Sequence, residues 1–240
     1  MRKRFIFNRL VFHEFLMRLA EKYIRGYYRA DQTRLWRNKT HPPEWFDHRA
    51  DLYLWSDRRS PFWPERGVYS VAPMFQGCKV LDLCCGEGFF AYHFYTSLAS
   101  HIDAVDWDRT AIAHARKWHS DPKIHYHVLN AVTKPFPRSH YHVICWDAAI
   151  EHFTELEIRL VLEKCVTALK PDGVLTGYTI LTNPGPPVHP DHHHEFHDRH
   201  ELISILHEFF PCVAMIETVY PTRRNIYFRA AFKKQRLNRF

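Results

Sequence analysis

The sequence predicts an α/β protein: a Rossmann-like, doubly wound, seven-stranded sheet whose last strand runs antiparallel, preceded by a helical N-terminal extension. Three observations carry this expectation. From Lys79 onward, short apolar runs alternate with helix-periodic stretches, the pattern of a mostly parallel sheet covered on both faces. The first apolar run ends in a turn containing Gly86 and Gly88, and a helix starts at once. The last two runs are joined by a loop too short for a crossover helix, so they have to pair antiparallel.

The elements follow in order. A strand is expected over 80–83 and a helix over 88–97, then a strand over 102–105 and a helix over 110–118. A third strand is expected over 124–128, and a fourth over 143–145 followed by a helix over 156–169. Lys170-Pro-Asp-Gly173 reads as a turn into a fifth strand over 174–180. A helix over 201–209, a strand over 212–218, a loop over 220–225 and a strand over 226–232 complete the chain. The stretch 1–75 differs in kind, being rich in Arg and aromatic residues and almost free of glycine. Phe12, Phe15, Leu16, Leu19, Tyr23, Ile24 and Tyr27 recur at helical spacing, with Arg18, Lys22, Arg25 and Arg29 on the other side. Prolines at 42, 43, 61 and 64 argue for an irregular cap between this helix and the core. Two domains are therefore expected, a helical basic and aromatic cap over 1–75 and the α/β domain over 76–240.

Composition narrows the function classes. With 240 residues, 46% hydrophobic and 25% charged, the chain is neither disordered nor collagen-like. Lys and Arg number 33 against 26 Asp and Glu, a net charge of +7 that favours acidic partners without establishing nucleic-acid binding. No run is long and apolar enough for a membrane-spanning helix. The six cysteines form no C-x-x-C pair, which excludes a zinc ribbon and a thioredoxin motif and suits a reducing, cytoplasmic setting. Met1-Arg-Lys-Arg lacks the apolar core and cleavage site of a secretory signal.

The informative segment is Val80-Leu-Asp-Leu-Cys-Cys-Gly-Glu-Gly88-Phe-Phe. Glycine is needed in such a turn because the chain bends sharply and a ligand approaches the backbone. Eighteen residues past Gly88 the second strand ends in Asp106, where an acid can accept both hydroxyls of a ribose. Here the chain resembles the class I S-adenosylmethionine-dependent methyltransferases, whose first motif is apolar-Asp-apolar-Gly-x-Gly-x-Gly. Asp82, Gly86 and Gly88 match, and Cys84 stands at the first glycine. The resemblance covers about 75–232 and implies S-adenosylmethionine as methyl donor. It implies that Asp82 holds the methionine amino group above the turn Cys84, Cys85, Gly86 and Gly88. Asp106 would bind the ribose, and Trp107 would flank the adenine. Asn130, in Leu129-Asn-Ala131, takes the place of the family's Asp facing the adenine amino group. Trp146 and Asp147, ending the fourth strand, would line the methionine side. A dinucleotide oxidoreductase is disfavoured, because G-x-G-x-x-G is absent.

Candidate catalytic groups follow the fourth and fifth strands. Glu151 and His152 stand where acceptors sit in this fold, and histidine titrates near neutral pH, so His152 is the expected general base with Glu151 orienting it or the acceptor. His189-Pro-Asp-His-His-His-Glu-Phe-His-Asp-Arg-His200 follows the fifth strand. His192–His194 are placed around the acceptor, with His193 as a third catalytic candidate. His and Glu at this density suit a metal ion, but the expected reaction is metal-independent. Arg66 could clamp a carboxylate, although a surface position is as natural. The expected activity is methyl transfer to an oxygen or nitrogen of a small-molecule or glycan-like acceptor. The alternatives are an RNA methyltransferase or RNA-binding modifier, suggested by the net charge and the Arg/aromatic segment, and a non-catalytic cofactor-binding subunit.

Overall fold

The computed structural model describes residues 62–220 and 223–237, together with helical residues between 12 and 26. The chain divides into two compact units, 1–58 and 59–240. Of the N-terminal apolar stripe, Phe12, Phe15, Leu16, Leu19 and Tyr23 lie on helical backbone, while Ile24 and Tyr27 fall outside the described residues.

The second unit opens with α1 (Phe62–Val71), which the sequence assigns to the cap. This helix bonds to the sheet of its own unit. Glu65 accepts hydrogen bonds from Thr218, Asn225, Tyr220 and Tyr227, and Tyr69 stacks on Tyr227 at 4.2 Å. Pro64 sits in the first turn of this helix, where no amide donor is required.

The strands are β1 (Cys78–Leu83), β2 (Ala99–Asp106), β3 (Ile124–Val128), β4 (Tyr141–Asp147), β5 (Leu169–Leu181), β6 (Cys212–Tyr220) and β7 (Arg223–Ala231). They form one seven-stranded sheet in the order β3-β2-β1-β4-β5-β7-β6. The pairs among β1–β5 are parallel, and β7 lies antiparallel between β5 and β6, as the short connection requires. Because β1 lies between β2 and β4, chain direction reverses around it, and a crevice opens at its carboxyl end.

The helices α2 (Phe89–His93), α3 (Arg109–Trp118), α4 (Glu155–Ala168) and α5 (Arg199–His207) fall where helical periodicity predicts. Three begin on side-chain caps: Asp108 for α3, Asp198 for α5, and a Thr154–Glu157 capping box for α4. The helix expected over 88–97 is shorter than predicted. It stops at His93 and tightens into a 3-10 turn, Tyr95–Ser97, with Leu98 N–H donating to the Tyr95 carbonyl. Aromatic residues hold a helix weakly, and burial of Phe89, Phe90 and Tyr95 decides the backbone here. β5 starts earlier than expected, because Leu169 pairs with Tyr141 before a register shift ahead of Val143.

The sheet separates two layers. Leu81, Leu83, Val105, Ile144, Trp146, Leu175 and Phe228 pack with Ile158, Leu162 and Leu206 in the main core. Strand alternation sends Asp82, Cys145, Asp147 and Tyr178 to the other face.

Candidate active site

The turn after β1 is backbone-driven. Cys84, Gly86 and Gly88 all have positive φ, at 57°, 54° and 79°. That explains why glycine is usual at the position of Cys84, where a side chain strains the backbone. Cys85 N–H donates to the Val105 carbonyl at 3.0 Å, and Gly88 N–H to the Cys85 carbonyl at 2.9 Å. A Cβ on Gly88 would stand 2.3 Å from the Tyr126 hydroxyl. The expected partner of the turn is in place: Asp106 Oδ2 accepts from Gly86 N–H at 2.9 Å, and its Oδ1 from Asp108 N–H at 2.8 Å. This carboxylate is locked at the tip of β2, one residue before the exposed Trp107.

Beside the turn, acidic charge is concentrated. Asp82 is 3% exposed, Asp106 7% and Asp147 9%. Burial pushes the Asp82 carboxyl well above the usual range, Asp147 and Asp106 push it further, and Arg66 pulls it back. Arg66 is buried rather than on the surface. Its Nε donates to Asp147 Oδ2 at 3.0 Å, its second terminal nitrogen bonds to the same oxygen, and its guanidinium lies 4.8 Å from the ring centroids of both Phe90 and Tyr178. The other Asp147 oxygen is buried and has no hydrogen-bond partner among the described residues. Asp82 and Asp147 thus share one arginine beside the buried Asp106, and one Asp147 oxygen lacks a donor among the described residues. A ligand bearing an ammonium and a sulfonium fits that deficit. Asp82, Asp106 and Asp147 would hold S-adenosylmethionine by its amino group and ribose.

Three residues expected at the cofactor have partners within the protein. Trp146 is fully buried in the core, ring to ring with Phe153 at 5.3 Å, while its neighbour Asp147 lies on the other face of the sheet. Asn130 Oδ1 accepts from Val132 and Thr133 N–H at 2.8 and 3.1 Å, and so caps its own turn. Ala131 is buried, and its carbonyl accepts from Lys164 Nζ at 2.7 Å.

The second cluster follows β4. Ala148 takes a positive φ of 50°, and a 3-10 turn, Ile150–His152, presents Glu151 and His152. Glu151 is 4% exposed, and its Oε2 accepts from Thr179 Oγ1 at 2.9 Å. Its carbonyl accepts from His193 and His194 N–H at 2.9 and 3.1 Å, which pins the histidine loop to this turn. His152 Nδ1 bonds to the Asp191 carbonyl at 3.0 Å, which fixes Nδ1 as the protonated nitrogen. His192 Nδ1 bonds to Glu195 Oε1 at 2.6 Å. The His152 and His192 rings stand 4.9 Å apart at 81°. The loop therefore brings His192 to Glu151 and His152, whereas the His193 side chain is exposed. Among the described residues, Glu151, His152 and His192 could hold a metal ion. Asp191, Glu195 and Thr179 escaped sequence reasoning, because nothing local marks a residue as the partner of a distant side chain.

Residues 80–173 match a family model described as a methyltransferase domain. Over that segment the chain is similar to S-adenosylmethionine-dependent methyltransferases. It is 33% identical over 141 residues to a Mycobacterium tuberculosis protein named "Probable S-adenosylmethionine-dependent methyltransferase", covering 57% of this chain and 49% of that one. It is 29% identical over 122 residues to the ubiquinone biosynthesis O-methyltransferase of Bradyrhizobium diazoefficiens, covering 50% and 46%. The chain spans about half the length of the curated relatives it matches. Among solved structures, the DhpI complex with S-adenosylhomocysteine superposes with a TM-score of 0.58 at 17% identity, covering 89% of this chain and 98% of that one. That likeness speaks for the fold alone. No helix among the described residues is long and apolar enough to cross a membrane.

Proposed function

We propose that the protein transfers a methyl group from S-adenosylmethionine to an oxygen or nitrogen of a small-molecule or glycan-like acceptor, with His152 as general base. One observation carries the reading: two imidazoles and a buried carboxylate, Glu151, His152 and His192, are gathered at the carboxyl end of β4, next to the strand end that offers Asp147. With Nδ1 bonded to the Asp191 carbonyl, His152 keeps Nε2 as its proton-accepting nitrogen. S-adenosylmethionine, when bound, supplies an electrophilic methyl carbon. The acceptor oxygen or nitrogen forms the new bond to it as the bond to sulfur breaks. His152 takes the acceptor proton, and the rest is alignment. The O-methyltransferase name of the Bradyrhizobium relative supports an oxygen acceptor.

The test is release of S-adenosylhomocysteine across a panel of hydroxylated and amino acceptors, with wild type and His152→Asn compared. An acceptor turned over by wild type and lost with the variant supports the reading. A cofactor titration showing no binding of S-adenosylhomocysteine removes it at its first step.

A further inference from the structure

The group that would deprotonate the acceptor is also organised as a set of metal ligands. One atom from each of Glu151, His152 and His192 can be chosen so that all three lie within 4.8 Å of one another. Ligands around a tetrahedral ion with bonds near 2.1 Å stand about 3.4 Å apart, so closure of up to roughly 1.5 Å would complete the set. Two features separate this group from an incidental meeting of side chains.

The first is the outer hydrogen bonding. Each imidazole spends Nδ1 on a fixed acceptor, the Asp191 carbonyl for His152 and the Glu195 carboxylate for His192. Donation from Nδ1 leaves Nε2 as the nitrogen of each ring that can ligate a metal, the arrangement in which ligating histidines are oriented. Glu195 is itself held, since its Oε1 also accepts from Val188 N–H at 2.7 Å.

The second is charge. Glu151 is buried, and its only side-chain hydrogen bond among the described residues is the neutral Thr179 hydroxyl, itself fully buried. Glu195 bonds to His192 and to a backbone amide. Glu151 lies with the imidazole pair and Glu195 bonds to one of its members, so two carboxylates of low exposure would attract a doubly charged cation.

We infer that Glu151, His152 and His192 form a binding site for a divalent transition-metal ion. Two imidazoles and one carboxylate suit zinc, cobalt or manganese, and disfavour magnesium, which prefers oxygen ligands. The site itself stands on geometry alone. Its effect on the reaction rests on the reading of His152 as base: the ion takes the same Nε2, so metal and acceptor proton compete there.

The experiment uses the whole chain, stripped with chelator and titrated with cobalt chloride, with visible absorption and calorimetry as readouts. One cobalt ion per chain is expected, with binding at least tenfold weaker in His192→Asn and in His152→Asn and unchanged in His193→Asn. Glu195→Gln leaves the three ligands in place and is expected to weaken binding several-fold, which covers the case in which a ligand variant misfolds. Binding lost in His193→Asn but kept in His152→Asn and His192→Asn would reassign the ion to exposed loop histidines and overturn the site. Absence of binding up to millimolar cobalt would overturn it as well. Methyl transfer is read separately: inhibition by cobalt, reversed by chelator, supports competition at His152. Stimulation instead would retain the site and sink His152 as the base.

Discussion

The crevice under the β1 turn and the cluster after β4 are built from opposite chemistry. The first sets Asp82 and Asp147 near one arginine and fixes Asp106 through backbone amides. The second gathers imidazoles whose Nδ1 atoms are tied to a carbonyl and a carboxylate. One region holds carboxylates that a cationic ligand would balance. The other holds ring nitrogens oriented by fixed hydrogen bonds. The difference teaches that binding and proton removal are separable here, and variants should separate them.

The largest effect is expected at the imidazoles. His152→Asn should lower kcat by about 10²- to 10⁴-fold and leave the affinity for S-adenosylhomocysteine within twofold, as read by calorimetry. A parallel fall in cofactor affinity would merge the two regions and break the comparison. Next is Arg66→Met, which strands Asp147 and Asp82 without their buried cation. Denaturant unfolding should show a loss of about 3–5 kcal/mol, with weaker cofactor binding. Unchanged stability would show that the Arg66–Asp147 pair contributes nothing.

Asp82→Asn is expected to act in opposite directions on stability and binding. The folded pKa of Asp82 lies above its ordinary value, so the folded protein holds a proton that the unfolded chain releases. The ligand-free protein should then lose stability as pH rises from the ordinary carboxylate range through the raised value. The amide variant should lack that loss, melting about 2–4 °C higher at neutral pH, while binding S-adenosylmethionine at least tenfold more weakly. A variant that melts lower at neutral pH would contradict the charge account of the crevice. The smallest effect is Cys84→Gly, which relieves a positive φ and should stabilise by roughly 0.5–1 kcal/mol, measured by thermal melting. Destabilisation would mean that the thiol's packing against the core outweighs the strain.

Much of the fold was legible because it rests on local signals. Apolar alternation, the glycine turn, the acid ending β2 and the short last connection each act within a few residues. The contact between turn and acid followed from strand order, and Gly86 does meet Asp106. What escaped depends on distant chain segments. Arg66 and Asp147 are 81 residues apart, and no periodicity links them. Trp146 and Asp147 are neighbours on a strand, so only the register of β4 against β1 decides which one joins Asp82. Three consecutive histidines look alike in sequence. The loop that ties His193 and His194 amides to Glu151 turns His192 inward. The turn cap formed by Asn130 was open to a local reading, since a short amide side chain readily caps its own turn.

Gly88 offers a closing lesson about reading signature glycines. The space its missing side chain leaves is filled by the Tyr126 ring, whose hydroxyl donates to the His119 carbonyl at the end of α3. An alanine there would push against the neighbouring strand before it reached any nucleoside. A variant at this position would thus mimic a lost cofactor contact while reporting on an aromatic wedge behind the loop.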